Sequence, residues 1–235
     1  MFRKKHSAPK ATAIIVAAGS SRRMCGADKQ LITIDGMPTL AHTLLQFSNA
    51  ESIDSVIVVT KPESILTVGD IVREFGITKV SNIIPGGETR QDSVCCGLSY
   101  VENDRLVAIH DGARPFISVD KINELVSAAY EFGAAAPGVM PKDTVKAANQ
   151  DNTIAETLDR NTLRLIQTPQ VFYADQLKLA YERAKASGFV GTDDCSVAEN
   201  SGINIRIIDG EYTNIKVTTP EDLPIAEAIY HFLNN

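Results

Sequence analysis

Three stretches of the 235-residue chain combine residue types that handle phosphate and nucleotide bases. The first is Ala17-Ala18-Gly19-Ser20-Ser21-Arg22-Arg23-Met24, closed by Lys29-Gln30, directly after the apolar run Ala13-Ile14-Ile15-Val16. A buried strand ending in a turn of small residues points backbone N–H groups at an anion, and neighbouring cations add charge. The reading favoured by these residues is a polyphosphate wrapped around Ala17, Ala18 and Gly19, with Arg23 and Lys29 on its outer oxygens. An ordinary strand-to-helix loop with solvated arginines is the alternative, and the adjacent Arg22 reads as a surface charge. The loop lacks both the Gly-Lys-Ser/Thr ending of a P-loop and the GxGxxG spacing of a dinucleotide site.

The second stretch is Pro85-Gly86-Gly87-Glu88-Thr89-Arg90-Gln91-Asp92-Ser93. Paired glycines let a flat ring approach the backbone, whose N–H and C=O groups can read base edges, with Ser93 as a further donor or acceptor. The same residues also suit a turn followed by a helix start at Asp92-Ser93. The third is Ile109-His110-Asp111-Gly112-Ala113-Arg114-Pro115-Phe116, which places a carboxylate and a guanidinium at the end of an apolar strand. Asp111 could hold Mg²⁺ between phosphates and Arg114 could grip an anionic substrate, while a simple Asp–Arg pair bracing the loop is the competing account. His110 reads as structural, because attack of a phosphate on phosphorus needs no proton abstraction.

Elements able to position these stretches follow from periodicity. Short apolar runs recur at 13–16, 56–60, 80–84, 106–109, 134–139, 163–167 and 203–208. Helical spacing occupies 40–47, 64–75, 92–100, 119–132, 174–186 and 220–232 between and after them. Alternation of this kind predicts an α/β fold with a doubly wound, mostly parallel sheet and ligands at the carboxyl ends of its strands. Residues 144–147 and 153–157 break the rhythm as two short strands around the turn-forming Asn149-Gln150-Asp151-Asn152. An isolated hairpin is marginal in water, so an arm over 141–162 is expected to pack against a second subunit or, alternatively, to fold back on its own domain.

The rest of the composition sets bounds. Hydrophobic residues make up 44% of the chain, enough for one domain spanning 1–235. A net charge of −6 argues against a general nucleic-acid surface, so the cations of the first loop act locally. No apolar run is long enough to span a bilayer, and the basic start Phe2-Arg3-Lys4-Lys5-His6 lacks the apolar stretch of a secretory signal. Four scattered cysteines without a CxxC pair suit a reducing cytoplasm.

Taken in order, the motifs resemble the 2-C-methyl-D-erythritol 4-phosphate cytidylyltransferase family. They are the Ala-Ala-Gly loop with Arg23, Met24 and Lys29-Gln30; Gly86-Gly87 through Arg90 to Asp92-Ser93; and His110 to Phe116. Asp143-Thr144-Val145-Lys146, Asp159-Arg160, Gln167-Thr168-Pro169-Gln170, Thr192-Asp193-Asp194 and Asn214-Ile215-Lys216 before Pro220-Glu221-Asp222-Leu223 follow. The resemblance implies a Rossmann-like nucleotidyltransferase that moves a cytidylyl group from CTP to a sugar-alcohol phosphate with Mg²⁺. It also implies a homodimer whose hairpin arms are exchanged. By the family pattern Arg23, Lys29 and Lys216 are catalytic, and Ala17, Ala18, Gly19, Gly86, Gly87, Ser93 and Asp111 join Arg23 and Lys29 around CTP. Asp111, Arg114, Thr168, Thr192 and Lys216 would line the acceptor pocket, with Thr144 and Arg160 from the partner's arm. The chain departs from the pattern at Ser21, where a second glycine is common, and at Asp28, where proline is common. Two rival readings are a ribitol-phosphate cytidylyltransferase, disfavoured by the full Asp111-Gly112-Ala113-Arg114 sequence, and a noncatalytic nucleotide-binding homologue.

Overall fold

The structure is a computed structural model that describes residues 9–19 and 31–234. Arg22, Arg23, Lys29 and the departures Ser21 and Asp28 therefore lie outside the described residues. The first half of the chain supplies strand β1 (Ala11–Val16), the small hairpin β2 (Thr33–Ile34) and β3 (Met37–Pro38), helix α1 (Thr39–Asn49) and β4 (Ile53–Thr60). After these come α2 (Ile65–Glu74), β5 (Val80–Pro85), α3 (Arg90–Leu98), β6 (Leu106–Asp111) and α4 (Val119–Phe132). The second half continues with β7 (Ala134–Val139), an arm made of β8 (Lys146–Ala148) and β9 (Ile154–Thr157), and strands β10 (Leu165–Ile166) and β11 (Gln170–Tyr173). Helices α5 (Ala174–Ser187) and α6 (Asp194–Asn200), strand β12 (Arg206–Asp209) and helix α7 (Asp222–Asn234) complete it.

The main sheet runs β10-β7-β11-β6-β1-β4-β5, with β12 also on β7. Pairs β1–β4, β1–β6, β4–β5 and β7–β12 are parallel, whereas β10 and β11 run antiparallel to their neighbours. Side chains alternate across it with the period of two that a pleated strand requires. Ala13 and Ile15 of β1 and Val56 and Val58 of β4 pack with α1, α2 and α4 on one face. Ile14, Ile57 and Val59 pack with α3, α5 and α6 on the other. Both faces are covered, which is why these strands read as continuous apolar runs.

Four features differ from the expected elements. β11 gives no periodic signal, because Gln170-Val171-Phe172-Tyr173 is too short, yet it sits in the sheet between β6 and β7. The strand expected at 163–167 is only Leu165–Ile166; the Gln167 N–H still donates to Pro137 O of β7 at 2.8 Å, and pairing with β7 then lapses until Val171. Helix α6 was also missed; its start is built by Asp193, whose side chain accepts from the Ser196 N–H, while Ser196 returns a bond to the Asp193 backbone. The two-residue strands β2 and β3 carry no periodicity at all. The arm forms as an antiparallel pair with a register shift between Ala147 and Ala148, and its turn contains Asn152 at φ 65°. No helix among the described residues is long and apolar enough to cross a membrane.

Candidate active site

The carboxyl ends of β1, β4, β5 and β6 meet along one edge. Val16 is in register with Asp111, the last residue of β6, and the Gly112 N–H donates to the Val16 carbonyl at 2.9 Å. The Ala17 N–H donates to Val59 O at 2.7 Å and the Gly86 N–H to Thr60 O at 2.8 Å. These bonds bring Ala17–Gly19, Gly86-Gly87 and Asp111 to one edge of the sheet, the edge at which a doubly wound sheet places its ligand. Both glycines are demanded by close approach: a Cβ on Gly86 would stand 2.5 Å from Ala18 Cβ, and one on Gly87 would stand 2.3 Å from Asp92 Cβ.

Ser93 is placed beside these glycines, as expected, but its hydroxyl is engaged in the loop. It donates to Thr89 O at 2.9 Å and accepts the Gly87 N–H at 3.1 Å. Thr89 caps α3 in a reciprocal box with Asp92, so the segment is pinned at both ends. Ser93 thus shapes the glycine turn and keeps a single lone pair for a ligand.

Asp111 is the hub of the charged site. Its Oδ2 lies 2.7 Å from Lys216 Nζ and 3.9 Å from Arg114 Nε, and its Oδ1 accepts from Arg90 Nε at 3.2 Å. Burial would push this carboxyl up, but Arg90, Lys216 and Arg114 overcome it and hold it well below the usual carboxylate range. Arg114 Nη1 donates to Asn214 O at 2.8 Å, and the Asn214 side chain donates to Thr168 O at 3.0 Å. That chain of bonds ties the Asn214-Ile215-Lys216 loop to β6 and explains how Lys216, distant in sequence, reaches Asp111.

Beneath the hub, fully buried His110 fixes Thr168. Its Nε2 lies 3.0 Å from Arg114 O, an atom that can only accept, so Nε2 carries the hydrogen and Nδ1 accepts. The Thr168 hydroxyl, 3.0 Å from Nδ1, must donate there, and its oxygen takes the Asp111 N–H at 3.1 Å. Thr168 can therefore offer a ligand a lone pair but no hydrogen. Burial draws the His110 imidazole down to about 4, keeping it neutral in the fold. Both ring nitrogens of His110 are thus engaged within the fold, on Arg114 and Thr168.

Two site residues escaped the sequence reading. Arg90, the first residue of α3, makes a two-point contact with Asp194, the first residue of α6, at 3.1 and 2.7 Å. Asp194 is completely buried and also accepts from the Tyr181 hydroxyl. Burial opposes the charge on Arg90, but Asp194 and Asp111 outweigh it and raise its pKa further. Among the described residues, three cations (Arg90, Arg114, Lys216) thus face two carboxylates (Asp111, Asp194), an excess of positive charge within this cluster. A charged pair in the Thr192-Asp193-Asp194 run was the available signal, but nothing in the spacing says which arginine it meets. The remaining expected residues lie apart from this hub in their hydrogen bonding. Thr192 is exposed and pairs with Ser196 at 3.5 Å, and Arg160 Nη1 donates to Lys142 O at 2.9 Å within the exposed arm that also carries Thr144.

A family model described as 2-C-methyl-D-erythritol 4-phosphate cytidylyltransferase matches residues 11–231. The chain belongs to this family. A cytidylyltransferase of that name from Geobacillus kaustophilus is 44% identical, covering 92% of this chain and 95% of its own length. Another of that name, from Caldanaerobacter subterraneus subsp. tengcongensis, is 45% identical over 92% of this chain and 96% of its own. Among solved structures, the 4-diphosphocytidyl-2C-methyl-D-erythritol synthase of Anaerococcus prevotii superposes with a TM-score of 0.85 at 32% identity, covering 97% of each chain. The cytidylyltransferase fold thus includes the mixed, mostly parallel sheet seen here, and the hub around Asp111 lies at its carboxyl edge.

Proposed function

We propose that this chain transfers the cytidylyl group of CTP to 2-C-methyl-D-erythritol 4-phosphate, the reaction of its family. An oxygen of the acceptor's phosphate attacks the α-phosphorus, a new P–O bond forms, and the bond to the β-phosphate breaks to release pyrophosphate. Both reactants are anions, so repulsion and alignment are the main obstacles and cations supply most of the catalysis. The observation that carries this reading is the Lys216–Asp111–Arg114 hub at the carboxyl edge beside Ala17–Gly19 and Gly86-Gly87. Lys216 and Arg114 draw the acceptor phosphate to the sheet edge, Thr168 accepts from an acceptor hydroxyl, and Gly86-Gly87 hold the base. Arg23 and Lys29 are assigned to the triphosphate and its departing charge.

Magnesium fits this donor set as an ion completed by substrate. Asp111 offers a carboxylate at the sheet edge, and one carboxylate plus triphosphate oxygens is a common arrangement for Mg²⁺. When bound it would neutralise phosphate oxygens as charge shifts to pyrophosphate. We further assign dimer formation to the 141–162 arm, whose strands carry exposed apolar residues such as Ile154, with Thr144 and Arg160 serving the partner's acceptor pocket. Residence in a reducing cytoplasm suits the free thiols of Cys95, Cys96 and Cys195.

Pyrophosphate release from CTP is the direct test, run side by side with methylerythritol phosphate and ribitol phosphate. Turnover with the first and little with the second is expected. Faster turnover with ribitol phosphate, or none with either, overturns the assignment.

A further inference from the structure

We propose that Arg90 is the positioning residue of Asp111, locked from behind by Asp194 and Tyr181 so that one carboxylate oxygen is occupied and only the other faces Lys216, Arg114 and the substrates. The geometry makes this division of labour explicit. Arg90 uses both Nη atoms on Asp194, at 3.1 and 2.7 Å, and its Nε, at 3.2 Å, on Asp111 Oδ1. Lys216 and Arg114 approach Oδ2 instead. A guanidinium is planar, so the fork that fixes its outer edge on Asp194 also fixes the direction of its Nε–H.

The lock is itself anchored. Asp194 is wholly buried at the start of α6 and the Tyr181 hydroxyl of α5 holds its Oδ1. Three helices packed on the same face of the sheet, α3, α5 and α6, thereby set the rotamer of a carboxylate at the end of β6. Without Nε on Oδ1, the Asp111 carboxylate could rotate about its terminal bond and swing Oδ2 away from Lys216 and Arg114. Residues whose hydrogen bonds orient a catalytic group without touching substrate are often worth roughly 10- to 100-fold in activity. Lysine cannot replace this arginine, because one ammonium on a flexible stem cannot span both carboxylates with fixed direction.

The inference rests on the reaction proposed above, and wild-type turnover with CTP and methylerythritol phosphate tests that reaction first. Given an active wild type, three variants test the lock. Arg90→Lys is expected to lose roughly 10- to 100-fold in kcat, a larger effect than any accompanying rise in KM for CTP. The double variant Arg90→Gln with Asp194→Asn, which leaves no unpaired buried charge, is expected to show the same split, and its crystal structure should show Asp111 turned away from the 2.7 Å contact with Lys216. Tyr181→Phe, the mildest change, should lower kcat a few-fold in the same direction. A purely structural brace would lower the melting temperature but leave kcat per folded molecule intact. Wild-type kcat in Arg90→Lys, or in Tyr181→Phe should the double variant fail to fold, overturns the inference, as does a rise in KM alone.

Discussion

Gly86 is where the fit between two ligand loops can be measured. An added methyl at this position would stand 2.5 Å from Ala18 Cβ and 2.7 Å from Ser93 Oγ. Carbon–carbon contact is comfortable at ~3.5–4.0 Å, so the β1 and β5 loops would have to separate by about 1 Å. Neither neighbour yields cheaply, because Ala18 Cβ is bonded directly to the backbone and Ser93 Oγ is held by Gly87 N–H and Thr89 O. Overpacking of this kind costs about 1–3 kcal/mol, which must appear in one of two places. If the loops stay put, Gly86→Ala lowers the melting temperature by about 2–4 °C per kcal/mol. If they relax apart, binding CTP must press them together again, and affinity falls by roughly 5- to 150-fold. Thermal melts and CTP titration by calorimetry on the same preparation read both terms, whose sum is the expected 1–3 kcal/mol. Gly69→Ala in the interior of α2 is the control, since its nearest neighbour would be Ile83 Cδ1 at an ordinary 3.9 Å. A helical glycine replaced without a clash gains about 0.5–1 kcal/mol, so that variant should melt slightly higher and bind CTP normally. A Gly86→Ala protein that matches wild type in both melting and CTP affinity would refute the close packing of these loops.

Two other outcomes follow from the same geometry. His110 is held neutral by burial, with a pKa of about 4 against an ordinary 6.5, so the unfolded chain binds the extra proton first. The stability tied to neutral His110 is complete above pH 6.5 and is lost as pH falls toward 4, by about 2 kcal/mol at pH 5. Urea unfolding of the metal-free protein between pH 7 and 5 should show that decline, and His110→Gln should flatten it; an equal slope in the variant would remove His110 as the cause. For the arm, subunits carrying Arg160→Ala mixed with subunits carrying Arg114→Ala should regain part of the lost pyrophosphate release through a site built from two intact halves. No regain after subunit exchange has been verified by mass spectrometry would rule out a shared site.

Legibility in the sequence tracked how local each signal was. The strands at Ala134–Val139 and helix at Val119–Phe132 are bounded as expected, because each carries its full periodicity and its stop signal within itself, down to Gly133 at φ 93° closing the helix. The glycine pair and the Asp111–Arg114 stretch were readable for the same reason: residue type and strand end lie side by side in the chain. β11 and α6 were not, since four and seven residues contain too few turns of any pattern and both owe their conformation to what packs on them. Ser93 shows a subtler limit. Its type was recognised as a polar group beside the glycines, but the hydroxyl spends its hydrogen on Thr89, which only the folded loop reveals.

By itself the sequence determined the doubly wound architecture, the chemistry expected at the carboxyl edge, and the family to which the chain belongs. Those depend on periodic burial and on short motifs, both of which are local properties of a polymer. Tertiary structure alone decided how the charges are partnered. Asp111 receives Arg90 from 21 residues away on one oxygen and Lys216 on the other, and Arg90 in turn is gripped by Asp194 at a separation of 104 residues. Charge attraction has no sequence range. Which carboxylate meets which cation is set only when the two faces of the sheet are covered and their loops converge on one edge.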